Sequence, residues 1–266
     1  MSQDISGLLD EWEFDPEANV RKIWGEDGVR KMQVRIDHGA FQGILQINLD
    51  GRPDGKRPYD FDFALDYHRH ALTEYRASHS GEDAGFSLDH QACAELFDEG
   101  VRVYGRYVFL LQLKDYERVV RDTERNMGLF RFVNTYATDE EDQMNLEKWW
   151  PYILRMNATA RAMLARQEDD FEGALAIVQE AREKIAELPE MDAEEFVLER
   201  ERSQQALDEL EEETRRNKPP SREEQLQEEL QEAVERDEFE KAAAIRDALK
   251  EMQDANPVPP EGATDL

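Results

Sequence analysis

The residues with the most chemical content lie in two stretches of this chain, one cationic and one apolar. The turn Gly51-Arg52-Pro53-Asp54-Gly55-Lys56-Arg57-Pro58 places three cations in an otherwise acidic sequence. Arg52, Asp54 and Arg57 are therefore candidate contacts for a small molecule or peptide. The competing reading is that Gly and Pro set the loop's dihedrals while the cations answer nearby carboxylates such as Asp60 and Asp62. The glycines match neither a Walker nor a dinucleotide fingerprint, so they give no support for a nucleotide. The second stretch, residues 221–250, offers association rather than reaction. Leu226, Leu230, Ala233 and Val234 fall on one helical face, and Phe239, Ala242, Ala243, Arg246 and Leu249 recur at helical spacing after it.

The other reactive residue types are poorly placed for catalysis. His68 and His70 diverge by about 200° on a helix, because each residue turns the chain by about 100°, and cannot easily share an ion. His38, His79 and His90 are scattered, so no metal site and no cofactor is expected. Gly-x-Ser-x-Gly, His-Glu-x-x-His and kinase-type sets are all missing from the sequence, and acidic pairs are too abundant to nominate a dyad. Cys93, between Ala92 and Ala94, is the one cysteine, which leaves no disulfide or Cys-x-x-Cys knuckle; a small buried hydrophobe is its expected role. The chain is not expected to be an enzyme.

The elements that position the apolar stretch can be read locally. Pro219 and Pro220 stop what precedes, Ser221 caps a first helix, and Glu224 completes a capping box. Asp237 is placed to cap a second helix, with Glu240 at its third position. A turn of one or two residues around Arg236 and Asp237 forces the helices antiparallel. A hairpin this small is expected to leave an apolar face for something else to cover, with Phe239, its one aromatic, as the anchor. The two prolines are expected to act as a hinge before it.

In order and offset, Leu226, Leu230, Ala233, an acidic turn, Phe239-Glu240-Lys241-Ala242-Ala243 and Arg246-Asp247 resemble the UVR motif, the helical hairpin of the excision-repair proteins UvrB and UvrC and of some bacterial chaperone and kinase-regulator proteins. The resemblance covers about 30 residues of 266. It implies docking onto another helical hairpin through Leu226, Leu230, Ala233, Phe239, Ala242, Ala243, Arg246 and Leu249. The implied partner is a UVR-bearing excision-repair protein, a Clp-type chaperone or a second copy of the chain.

Composition narrows the classes further. Sixty-two Asp and Glu against 33 Lys and Arg give a net charge of -29, which leaves no cationic surplus to release counterions from a phosphate backbone. Direct nucleic-acid binding is not expected. The acidity, with 24 Arg and 9 Lys, fits either a salt-rich cytoplasm or a functional acidic surface. The start of the chain has no basic, apolar leader and no run of 18 apolar residues occurs, so a cytoplasmic protein without membrane contact is expected.

Along the chain the pattern predicts a mainly α protein. Residues 1–80 form a small α+β module: an irregular or short helical lead-in to about 28, a β-hairpin with Met32, Val34 and Ile36 opposite Leu45, Ile47 and Leu49, and a helix carrying Leu65, His68, Leu72 and Tyr75. Residues 81–216 form a helical-hairpin body, opened by Ser87 as a cap and closed by a charged helix over 192–214. Residues 221–254 are the UVR hairpin and 255–266 a disordered tail. Asp115-Tyr116-Glu117, Asp170-Phe171-Glu172 and Glu238-Phe239-Glu240 echo one another at helix entrances, each with a small or branched residue three positions after the aromatic. The body thus resembles tetratricopeptide-type hairpins, although spacings of 55 and 68 residues are not a regular period. Trp149, Trp150, Tyr152, Phe130, Phe132 and Tyr136 are expected to be core between helices or an anchor for a peptide. The function these readings support is a non-enzymatic adaptor, with a ligand-sensing or enzymatic module over residues 29–80 targeted by the hairpin as the alternative.

Overall fold

Alternating side chains in Arg30–His38 and Phe41–Asn48 build strands β2 and β3. They pair antiparallel, with Met32 opposite Ile47 and Val34 opposite Leu45. Gly39 supplies the left-handed backbone (φ 60°) that the two-residue turn needs. A third strand, β1 (Val20–Trp24), pairs along β2 where the sequence suggests an irregular or short helical lead-in. Its alternation is short and rich in cations, so the ladder of hydrogen bonds rather than its own pattern makes it a strand. Helix α1 (Ser6–Asp10) precedes it. The computed structural model describes residues 4–220 and 222–255, with the side chains of 222–224 and 251–255 excepted.

The remaining chain is helical: α2 (Ala64–Ser78), α3 (His90–Gln112), α4 (Tyr116–Tyr136), α5 (Glu140–Asn145), α6 (Trp150–Gln167), α7 (Phe171–Ala186), α8 (Glu194–Asn217), α9 (Arg222–Glu235) and α10 (Phe239–Ala255). The protein is mainly α, as its pattern predicts. Ser87 does not open α3. Leu88 is drawn into an extended bridge with Ala137, and Asp89 caps the helix instead by accepting from the Ala92 amide at 2.8 Å. Pro151 starts α6 rather than ending a helix, since its missing N–H is harmless in a first turn.

The described residues divide into two compact units, one up to Arg215 and one from Arg216 onward, with Pro219 and Pro220 between α8 and α9. The expected boundary near residue 80 is not a break in the core. Met32 of β2 and Leu49, just after β3, share a buried cluster with Val103, Tyr107 and Leu110 of α3, Val119 of α4 and Met156 of α6. A second cluster joins Leu65 and Leu72 to Leu96, Phe130 and Ile153 and takes in Phe132, Tyr136 and Trp150, with Trp150 edge-on to Phe130 at 5.5 Å, whereas Tyr152 packs against the first cluster and Trp149 is exposed. A third packs Ala174, Val178 and Ala181 of α7 on Ala158 and Ala162 of α6 and on Leu207 of α8. The succession of helical hairpins is consistent with the tetratricopeptide-like packing expected of the body.

Buried charge ties the sheet to the helices. Arg106 and Asp122, both essentially inaccessible, meet through two hydrogen bonds of 2.6 and 2.8 Å, and Arg106 also donates to the carbonyls of Asn48 and Gly51. Phe63 gives α2 no side-chain cap. Buried Glu99 of α3 substitutes, accepting from the amides of Ala64 at 2.7 Å and Leu65 at 3.1 Å, while burial holds its carboxyl above the usual range.

Candidate functional site

The cationic turn is a structural joint. Arg52 is only 8% exposed and points at Glu99, Asp98 and Asp54 at 3.3, 3.5 and 3.1 Å. Asp54 also faces Arg102, so the ligand contact expected of Arg52 and Asp54 is corrected: helix α3 uses both. Arg57 is exposed and lies 3.3 Å from Asp62, the carboxylate its position suggests. The turn's preceding carboxylate, Asp50, accepts from Arg118 and Arg121 of α4. The Arg118 hydrogen bond, opposed by burial and assisted by Arg121, holds Asp50 below its ordinary value of 3.8. An aspartate depressed in this way contributes stability that is present above 3.8 and is lost as pH falls through its folded value. Acid unfolding followed by circular dichroism is therefore expected to be less steep below about pH 4 in Asp50→Asn than in the parent. Equal pH dependence would show that Asp50 is not linked to folding.

The histidines do not assemble a metal centre among the described residues. His68 is buried beside Glu95, and burial pulls its pKa down, whereas His70 is exposed beside Glu74. Cys93 is buried, and desolvation pushes its thiol up to about 11, the behaviour of an inert core residue.

Three helix-to-helix turns have one geometry, and they are the three sequence echoes. Lys114, Asp169 and Asp237 each take a left-handed backbone conformation, with φ of 55, 60 and 57°. The next residue's amide then reaches five residues back, Asp115 to Leu110 at 2.9 Å, Asp170 to Ala165 at 2.9 Å and Glu238 to Ala233 at 2.8 Å. Each is a Schellman closure in which a residue other than glycine tolerates the left-handed conformation. Asp237 thus closes α9 and does not cap α10, a correction to its expected role. The capping by Ser221 and Glu224 lies outside the described residues and side chains, as does the tail beyond Ala255.

The hairpin of α9 and α10 covers more of itself than its size suggests. Leu226 and Ala233 of α9 pack with Ala242, Ile245 and Leu249 of α10, and Leu230 and Ala248 are partly buried against them. Four of the eight residues expected to face a partner, Leu226, Ala233, Ala242 and Leu249, are therefore consumed inside the hairpin, and Leu230 largely so. Ala243 is half-buried and Arg246 exposed.

What the hairpin leaves out is specific. In the first echo the aromatic, Tyr116, is buried in the core, and in the second Phe171 is half-buried. At the same turn position Phe239 is 69% exposed, and Val234 is 54% exposed. Val234 lies one residue, about 100°, past buried Ala233, while Phe239 and Ala243 lie about 60° and 100° in the same rotational sense from buried Ala242. Because the helices are antiparallel, these flanks fall on the same side of the hairpin. Leu230, Val234, Phe239, Ala243 and Arg246 consequently share one face.

A family model, described as the UvrB/uvrC motif, matches residues 224–255. The chain therefore carries this motif at its C-terminal hairpin. No curated protein and no solved structure matches the chain.

Proposed function

We propose that the chain is a non-enzymatic cytoplasmic adaptor whose C-terminal hairpin docks, through the face carrying Phe239, onto a helical hairpin of another protein. The partner is an excision-repair protein, a Clp-type chaperone or a second copy of the chain. The observation that carries this reading is the exposure of Phe239 at a turn position where Tyr116 of the same chain is buried. Leaving a phenyl ring in water forgoes roughly 1.5–3 kcal/mol of burial that a partner can recover. The match to the UvrB/uvrC motif over 224–255 supports a role for this hairpin in protein association. No described helix is long and apolar enough to cross a membrane, in keeping with a partner met in solution.

Affinity capture with the whole chain and with a chain lacking residues 221–252 tests the proposal. A specific partner retained only by the whole chain, or self-association lost on truncation, is the expected result. Identical captures from both chains would defeat it.

A second expected result concerns nucleic acid. Residues 192–254 hold 22 Asp and Glu against 10 Lys and Arg, and the turn from Arg52 to Arg57 is largely engaged internally. The purified chain is expected to show no measurable binding to duplex or single-stranded DNA at physiological salt. Tight, salt-sensitive retardation of DNA by the isolated protein would overturn the adaptor reading.

A further inference from the structure

Helices α2 and α4 border an open cleft of about 350 Å³ whose walls include Arg69, Arg76 and Arg131, with Leu72, Phe132 and Tyr136 as its less polar surface. Among the described residues no carboxylate pairs with Arg69 or Arg131. Asp66, the nearest acid to Arg69 on α2, is occupied by Arg125 at 3.0 Å. Arg69 instead lies over Gly128, where an added Cβ would come within 2.6 Å of its Nη2. Partial desolvation and repulsion from Arg125, against some attraction from Asp66, hold Arg69 below the ordinary arginine range. Arg131 is oriented by the Trp150 ring, 5.2 Å from its guanidinium. Arg76 is held by Asp83 and by the Tyr136 hydroxyl at 3.1 Å, and Tyr136 in turn donates to Asp83 at 2.8 Å.

Charge and size select the ligand. Of the three arginines that line the cleft, only Arg76 has a carboxylate within ion-pairing distance among the described residues, Asp83, so two positive charges have no such partner in a protein of net charge -29. A phosphate monoester carries about -1.5 to -2 at pH 7, a closer match than a single carboxylate, and guanidinium forks bind its oxygens in pairs. The volume is at the small end for ligand pockets, roughly 300–1,000 Å³. Buried Leu72 and Phe132 offer an apolar seat beside the cations. We propose that the cleft between α2 and α4 binds a small organic phosphate, its phosphoryl group between Arg69, Arg76 and Arg131 and its apolar part on Leu72 and Phe132. This site is separate from the hairpin and independent of the adaptor reading.

Isothermal titration of the full chain at low ionic strength with phenyl phosphate, inorganic phosphate and benzoate tests the proposal. Saturable binding of phenyl phosphate is expected, tighter than that of either other probe. The Arg69→Gln/Arg131→Gln double variant is expected to weaken it about tenfold or more, with the thermal midpoint retained. Gly128→Ala, whose methyl contests the space Arg69 occupies, is expected to weaken it too, while Arg57→Gln leaves it unchanged. No saturable binding of phenyl phosphate overturns the proposal. So does a double variant that binds as the parent does, or benzoate or inorganic phosphate binding at least as tightly.

Discussion

Asp122→Ala is expected to destabilise the chain by about 3–5 kcal/mol, because it strands a guanidinium where water cannot reach it. Arg106 and Asp122 are 0% and 1% accessible, and Asp122 also accepts from Arg121 at 3.0 Å. Removing one partner of a buried pair is far costlier than the pair itself is stabilising, since the remaining charge keeps its desolvation penalty. Replacing both, as Arg106→Met with Asp122→Leu, is expected to recover part of the loss. Recovery is incomplete because Arg106 also donates to the carbonyls of Asn48 at 3.1 Å and Gly51 at 2.6 Å, which the double variant leaves without that donor. Urea unfolding measures both, as a lowered midpoint at unchanged slope. A loss under about 1 kcal/mol for Asp122→Ala would mean that water enters the site or that Arg106 finds another acceptor.

Phe239→Ala is expected to weaken partner binding by about 2 kcal/mol or more while changing stability by no more than about 0.5 kcal/mol. The separation of the two effects is the informative part. An exposed ring contributes little to the fold it leaves, yet in a docked face it is desolvated on every side. Leu226→Ala would do the opposite first, since Leu226 belongs to the closed cluster with Ala233, Ala242, Ile245 and Leu249. Calorimetric titration with the captured partner, beside thermal unfolding of each variant, distinguishes them. Full affinity in Phe239→Ala would remove the Phe239 face from the proposal.

Local signals in the sequence sufficed for the helices, the hairpin of β2 and β3 and the motif at the C-terminal end, because periodicity and turn chemistry act over a few residues. The three acid-aromatic-acid echoes were legible as well, and each marks the same turn. Their aromatics nevertheless have three fates: Tyr116 buried, Phe171 half-buried and Phe239 exposed. Identical local patterns cannot specify different burial, since burial depends on whether other elements arrive at that spot. The same limit applies to Arg52, whose type and loop suggested a ligand contact until α3 supplied Asp98 and Glu99 from 46 and 47 residues away. It applies to the α2–α4 cleft too, where Arg69 and Arg131 lie far apart in sequence and, among the described residues, neither has a carboxylate within ion-pairing distance, which has no local signature. Composition and spacing determined what this chain can form, an acidic, mainly helical protein with a UvrB/uvrC-type hairpin over residues 224–255. Which of its charges are spent on the fold was decided by tertiary structure, because pairing and desolvation depend on neighbours that only packing brings together.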